Sequence, residues 1–331
     1  MLSRYRPPRW LIGRHLQTIY PAAWLRLPDI EYRREEWETP DGDFIELDWL
    51  PGAETTNPQT PLLVLFHGLE GNSRSHYALR LMAEVKRQGW RGVVVHFRGC
   101  SGKANRLPRG YHCGDSAEID WILGRLKSAN PGDSHCRLYA VGVSLGGNAL
   151  LKWLGEQQQA AGHIVDKAVA ISAPLALPTT GHVLGTGFNR LYAWLFLKTL
   201  RPKALAMIER HGLAFDSAAI RRVSNLWQYD DLFTAPLHGF RDADDYWEKS
   251  NSRPYLKSIQ VPTLLINAQN DPFLPAKDLP TADEVSTIVI CDFPSKGGHA
   301  GFVGKGRHAD GKVKHGDWLA ERVVCFLKDG A

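Results

Sequence analysis

Apolar and polar positions along the chain follow two different rhythms. "DFIELDWL" (Asp43–Leu50) mixes apolar and polar residues in the manner of a half-buried strand after the turn "TPDGD". Six other stretches have an apolar centre, continuous in the first: "PLLVLFHG" (61–68), "GVVVHFRG" (92–99), "RLYAVGVS" (137–144), "KAVAISAP" (167–174), "VPTLLINAQND" (261–271) and "STIVICDF" (286–293). Runs of that kind predict strands covered on both faces. Helical periodicity lies between them, at Tyr77–Arg87 (closed by Gly89), Ser116–Leu126 and Leu145–Gln158, and again in the terminal "GDWLAERVVCFLKD".

Strand and helix alternating in this way specify an α/β fold, with a mostly parallel sheet carrying helices on both faces. "EYRREEWETP" and "DFIELDWL" have no helix between them and predict an antiparallel hairpin at one edge. Leu175–Tyr255 breaks the rhythm. It contains no clear strand but is rich in aromatic residues, among them Phe188, Tyr192, Trp194, Trp227, Phe233 and Trp247. So long an interval predicts a structured insertion rather than a loop. The expected organisation is a core of residues 1–174 and 256–331, with 175–255 as a mostly helical cap whose aromatics form its own core. Residues 1–28 should pack on the core or the cap. The N-terminal "MLSRYRPPRWLIGRHLQTIYPAAWLR" is broken by Arg, His and Gln every few residues, so it reads as neither signal peptide nor spanning helix.

Composition narrows the function classes. Hydrophobic residues are 44% and charged residues 23% of 331, an ordinary balance for a globular enzyme. A formal charge of +5, scattered along the chain, argues against nucleic acid as a partner. A weak contact with an anionic membrane surface stays open. Cys100, Cys113, Cys136, Cys291 and Cys325 have no CxxC spacing and are odd in number. They predict free thiols in a reducing, cytoplasmic setting rather than disulfides or a zinc site. The oligomeric state leaves no mark in the sequence.

The chemistry centres on Gly142-Val143-Ser144-Leu145-Gly146, a G-x-S-x-G match that follows a predicted strand and opens a predicted helix. That context makes Ser144 a displayed nucleophile. Side chains at Gly142 or Gly146 would collide with neighbouring backbone. A serine hydroxyl needs a base, and the base an orienting acid. After the fifth apolar strand, "NAQNDPFLP" supplies Asp271. After the sixth, "FPSKGGHAGF" supplies His299. Asp292 is a weaker substitute acid, and His308 and His315 are rival bases in a charged stretch that reads as solvated. Leu145 and Leu69, the latter in "HGLEGNSRS", are the expected N–H donors to an oxyanion. His67 reads as a brace for that loop.

The chain resembles the α/β-hydrolase superfamily, in particular the branch of bacterial YheT-like proteins and their eukaryotic ABHD relatives. The likeness rests on "PPRWLIGRHLQTIYP", "LFHGLEGNSRSHY", "VVVHFRGCSGKANRLPRGYHCGD", "GVSLGGNALLKWLGE", "YDDLFTAPLHGF", "LLINAQNDPFLP" and "GGHAGF", which span nearly the whole chain. It implies an α/β-hydrolase fold, a Ser144–Asp271–His299 triad and hydrolysis of carboxylic esters, with short- or medium-chain acyl esters or acylglycerols as candidate substrates. Membrane-anchored relatives begin with a spanning helix, and its absence here favours a soluble esterase. No metal or organic cofactor is called for. A lipase acting on lipid aggregates, an acyltransferase and a non-catalytic binding protein on the same scaffold remain as alternatives. Arg98, Arg106 and Arg109 read as braces to acids such as Asp115 or Asp120, with anchoring of a substrate phosphate or carboxylate as the second reading. Cys100 and Cys113 read as structural thiols. His15, Gln17 and Thr18 receive no role.

Overall fold

The structure is a computed structural model that describes residues 5–52, 60–129, 136–307, 313–315 and 318–328. The strands of its main sheet are β1 (Arg33–Glu38), β2 (Phe44–Trp49), β3 (Leu62–Phe66), β4 (Arg91–His96), β5 (Leu138–Val143), β6 (Lys167–Ile171), β7 (Thr263–Ile266) and β8 (Val289–Asp292). They lie in the order β1-β2-β4-β3-β5-β6-β7-β8. β1 and β2 pair antiparallel, as do β2 and β4, and every later pair is parallel. The predicted fold class and edge hairpin are therefore present.

Two layers of helices explain the apolar runs of the inner strands, whereas the edge strand β8, expected to be covered on both faces, leaves Ile290 and Cys291 exposed. On one face, Leu62, Val64 and Phe66 of β3 pack with α3 (Ser116–Ser128) and α4 (Leu145–Gln157). On the other, Leu63 and Leu65 pack with α2 (His76–Arg87) and with the helix Trp318–Lys328 that closes the fold. Every side chain of β3 is thus out of water, and no polar position is tolerated.

The alternation in β2 misleads in one respect. Its polar residues face protein rather than solvent: Glu46 and Asp48 are 2% and 3% exposed. Asp48 accepts from Arg34 Nε (2.7 Å) and Nη2 (2.9 Å) and from Ser73 Oγ (2.5 Å), with His96 Nε2 at 2.9 Å. Burial works to raise its carboxyl pKa, yet these hydrogen bonds win and hold it below the usual range. A buried carboxylate with donors on every side looks, in sequence, like one facing water.

Between β6 and β7 the described elements are all helical: α5 (Leu177–Leu184), α6 (Arg190–His211), α7 (Ser217–Arg222), α8 (Leu226–Tyr229), α9 (Ala235–Leu237) and α10 (Ala243–Ser250). Asp230–Thr234 joins α8 to α9 through a π-helical turn. Tyr192, Tyr229, Phe233, Tyr246 and Trp247 are buried, whereas Phe188 and Trp194 are exposed. The N-terminal helix α1 (Arg14–Ala23) also departs from expectation. It buries the polar Gln17 and Thr18 while Trp10, Ile12, Leu16 and Trp24 stay at the surface.

An antiparallel hairpin, β9 (Lys305–Arg307) with β10 (Val313–His315), was not predicted, and His308 lies outside the described residues. Among the described residues no helix is long and apolar enough to cross a membrane.

Candidate active site

Ser144 sits at the corner between β5 and α4 with φ 52° and ψ −119°, a left-handed conformation that L side chains adopt only at a cost. Backbone bonds hold it there: its N–H donates to Ile171 C=O (2.8 Å), and Asn148 N–H donates to its own carbonyl (3.0 Å). The flanking glycines are sterically required. A Cβ on Gly142 would lie 2.4 Å from Gly146 O, and one on Gly146 would lie 2.5 Å from Phe66 O. The corner therefore packs against the end of β3 with no room for a methyl group, and the hydroxyl is left pointing out of the turn.

His299 reaches that hydroxyl from the loop after β8. Its Nε2 lies 3.0 Å from Ser144 Oγ and its Nδ1 lies 2.8 Å from Asp271 Oδ2. Asp271 is 3% exposed, and its second oxygen accepts Phe273 N–H at 2.8 Å. The carboxylate is thus fixed in rotation, and the Phe273 ring stands 4.3 Å from the imidazole. The structure brings together the three side chains singled out from sequence. Asp292 is elsewhere, paired with Arg322 (2.7 Å).

What holds the histidine loop was invisible in the sequence. Four successive backbone N–H groups each find a side-chain acceptor: Gly297 on Gln17 Oε1 (2.9 Å), Gly298 on Asn270 Oδ1 (3.1 Å), His299 on Thr18 Oγ1 (2.9 Å) and Ala300 on Ser172 Oγ (3.0 Å). Asn270 Nδ2 also donates to Gln17 Oε1 (2.9 Å), tying the loops that carry Asp271 and His299 to one amide. Gly298 has φ +63°, and a Cβ there would stand 2.7 Å from the Gln17 carbonyl carbon. Helix α1 is therefore wedged directly against the loop. Nearby, His15 Nδ1 lies 3.2 Å from Tyr192 OH.

The loop after β3 runs beside the serine, close enough that a Cβ on Gly68 would be 3.0 Å from Ser144 Cβ. Gly68 N–H donates to Tyr77 OH (3.0 Å) and Glu70 N–H to Tyr111 OH (2.8 Å). Among the described residues, the Leu69 N–H between them has no acceptor, nor has the Leu145 N–H at the start of α4. His67 braces this loop as expected. It is fully buried, its Nδ1 meets Gly68 O at 2.7 Å, and its Nε2 accepts Phe97 N–H at 3.1 Å. Burial pushes its pKa down to about 3, so the ring is neutral.

The arginines of the loop after β4 brace it, though mostly on other acids than those predicted. Arg98 is bound by Glu118 (2.6 Å), Asp43 (3.1 Å) and Asp41 (3.2 Å), Arg106 by Glu36 (3.0 Å), and Arg109 by Asp41 (3.0 Å) and Asp115 (2.9 Å). Asp120 instead accepts Trp153 Nε1 (2.8 Å). Two of the five carboxylates that bind these arginines, Asp41 and Asp43, come from the β1–β2 turn and a third, Glu36, from β1, a partnership far apart in sequence. Burial pushes the Cys100 and Cys113 thiols up to about 12, which keeps them protonated and inert.

Ser144, His299, Leu69 and Leu145 line a cavity of about 660 Å³. Its far walls come from the helical insertion, with Leu184, Phe196, Leu200, Tyr229 and Phe233 among them. The lining residues that are exposed lie at Gly102–Ala104 and in the C-terminal half of α6, including Lys203 and Arg210, which places the mouth there. A space of this size with apolar walls and a few convergent polar groups suits a small organic ligand.

A parallel sheet in this order, with a strained serine at a strand–helix corner and a histidine and an aspartate arriving from later strand ends, defines a hydrolase-type α/β protein. The family model for the alpha/beta hydrolase fold matches residues 61–305. The candidate esterase YheT of Escherichia coli K12 is 35% identical over 328 residues, 98% of this chain and 93% of its own. Phospholipase ABHD3 of Mus musculus is 28% identical over 316 residues, 90% of this chain and 73% of its own. Among solved structures, the esterase Pf2001 of Pyrococcus furiosus superposes with a TM-score of 0.57 at 17% identity, covering 99% of this chain and 98% of that one. The chain belongs to the α/β-hydrolase family, in its YheT/ABHD-type branch.

Proposed function

We propose that this protein is a serine carboxylesterase that hydrolyses short- or medium-chain acyl esters through an acyl-enzyme. The observation that carries the reading is the continuous relay Asp271–His299–Ser144, with steps of 2.8 Å and 3.0 Å, ending at the wall of an apolar cavity. Asp271 holds the proton on His299 Nδ1, which leaves the Nε2 lone pair facing the serine hydroxyl. Ser144 Oγ attacks the ester carbonyl carbon while Nε2 takes its proton. The carbonyl oxygen, now anionic, meets the unused N–H groups of Leu69 and Leu145. Collapse breaks the bond to the alcohol oxygen, which leaves with the proton from Nε2. Water then enters, gives a proton to Nε2 and cleaves the acyl–serine bond, releasing the acid and restoring the hydroxyl.

Residues 175–255 act in this reading as a cap whose side chains enclose the acyl chain over the core. Relatives named as a candidate esterase and as a phospholipase support ester bonds as the target, and the phospholipase extends the substrate class towards glycerolipids. The test is turnover of p-nitrophenyl butyrate. Ser144→Ala should lower kcat by roughly four to six orders of magnitude without lowering the melting temperature, and a fluorophosphonate should label the wild-type chain but not the variant. A Ser144→Ala variant that keeps wild-type turnover defeats the proposal. A jump in rate once a poorly soluble ester exceeds its solubility would assign the protein to lipases instead.

A further inference from the structure

Exposed apolar side chains are not spread evenly over this molecule. Among the described residues eleven large ones are exposed, and eight of those belong to two short segments, residues 10–24 and 188–195. The segments touch. The His15 ring on α1 lies 4.3 Å from the Phe188 ring, so the exposed Ile12 just before α1 and Leu16 on it lie in a segment that adjoins the one carrying Leu191, Trp194 and Leu195 of α6. Ile12 is 75% exposed and Trp24 is 65% exposed, values that no internal contact explains. A patch concentrated in this way marks an interaction surface rather than ordinary surface roughness.

Charge indicates what covers it. Residues 5–28 carry Arg6, Arg9, Arg14 and Arg26 without one Asp or Glu, and residues 186–202 carry Arg190, Lys198 and Arg201, again without an acid, whereas the next cation, Lys203, is already paired with Glu70 (2.7 Å). Lys198 Nζ stands 4.6 Å from the Trp194 ring centre, at the rim of the patch. A second copy of the chain docked here would oppose one basic rim to another, which is unfavourable. An anionic lipid surface meets both requirements: headgroup phosphates for the cations and an acyl boundary for the apolar groups. Tryptophan at the edge of such a patch suits the headgroup level.

We infer that the α1–α6 face docks on anionic lipid bilayers, lying in the interface without crossing it. The docked face is close to the relay. Tyr192 on α6 packs 4.8 Å from Phe273, which in turn stands 4.3 Å from His299. Docking uses none of the serine chemistry, so it stands or falls separately from the esterase reading.

The test is flotation of the full chain with vesicles of phosphatidylglycerol mixed into phosphatidylcholine. The chain should float with them, and binding should weaken by roughly tenfold or more on pure phosphatidylcholine or at high salt. The double variant Ile12→Glu/Trp194→Glu should lose binding by a similar factor while keeping turnover of a soluble p-nitrophenyl ester. Arg9→Gln and Lys198→Gln should each cost about fivefold on the anionic vesicles alone. Ser144→Ala should bind as the wild type does, whatever its activity. Equal recovery of wild type and double variant with anionic vesicles overturns the inference. So does a dimer in sedimentation velocity that the same double variant disperses.

Discussion

The hydrogen bond from His299 N–H to Thr18 Oγ1 offers a direct way to ask whether the N-terminal helix serves the active site. Thr18→Val keeps the shape of the side chain but removes the hydroxyl, which accepts from His299 N–H and donates to Arg14 C=O (2.9 Å), and the first of these losses leaves a partly buried donor without a partner. Such a loss costs about 1–3 kcal/mol. The affected N–H belongs to the residue that carries the imidazole, and the rest of the loop is held by Gln17, Asn270 and Ser172. The cost therefore falls mainly on the position of the ring relative to Ser144 Oγ. If all of it appears in the transition state, kcat/KM falls by roughly 5- to 150-fold. KM for a short p-nitrophenyl ester should barely change, because Thr18 is not among the cavity-lining residues. Thr18→Ser restores the oxygen and should restore the rate, which separates positioning from packing. The assay is steady-state turnover beside thermal unfolding and the rate of fluorophosphonate labelling. If Thr18→Val and Thr18→Ser both turn over at the wild-type rate, α1 does not position the histidine, and the four acceptors on its loop are structural only.

Three further outcomes follow from particular atoms. Gly146→Ala should fail to fold or lose activity, since its new Cβ would lie 2.5 Å from Phe66 O, whereas Gly124→Ala on α3 has open space around it and should be neutral or gain up to ~1 kcal/mol; soluble yield and melting temperature distinguish the two. Asp230 lines the cavity, and burial lifts its carboxyl from 3.8 to about 6 against the opposing hydrogen bonds from Thr234 and Trp247. A raised carboxylate pKa penalises the folded state progressively as pH rises through that window. Asp230→Asn should therefore gain stability over the wild type between about pH 4 and pH 7, by up to about 3 kcal/mol and less where cavity water reaches the carboxylate. A melting-temperature difference that stays flat with pH would count against it. Gln17→Leu deprives both Gly297 N–H and Asn270 Nδ2 of their acceptor, and should cost about 2–4 kcal/mol in stability along with activity; denaturant unfolding reads the first and ester turnover the second.

The core was readable because each of its rules is local. Leu62–Phe66 must be apolar at every position to lie between two helical layers, and Ser144 must have glycine on either side to fit against β3. Asp271 and His299 were legible for a related reason, since both sit just past strands whose apolar runs mark where the sheet ends. What stayed hidden depends on pairs distant in sequence. Arg98 looked as though it should pair with acids in its own neighbourhood, yet Asp41 and Asp43 reach it from the β1–β2 turn, more than 50 residues earlier. Asp48 read as solvent-facing because a polar side chain carries the same hydropathy whether water or Arg34 satisfies it. Gln17 and Thr18 carried no chemical signature at all. Their function lies in two oxygen atoms whose partners come some 280 residues later.

That stitching has a consequence for how the protein is made. Tyr5 OH donates to Val303 O, and Gln17 and Thr18 close on residues 297 and 299, so segments some 280 to 300 residues apart meet beside the His299 loop. A ribosome releases the first of these partners long before the second exists. Until residues 297 and 299 are made, the Gln17 and Thr18 acceptors lack their N–H partners on the histidine loop, whose other acceptors come from Asn270 and Ser172. On the proposed esterase reading, a product that stops short of the loop after β8 lacks its base, and trimming the opening helix removes two of the four acceptors that hold that loop.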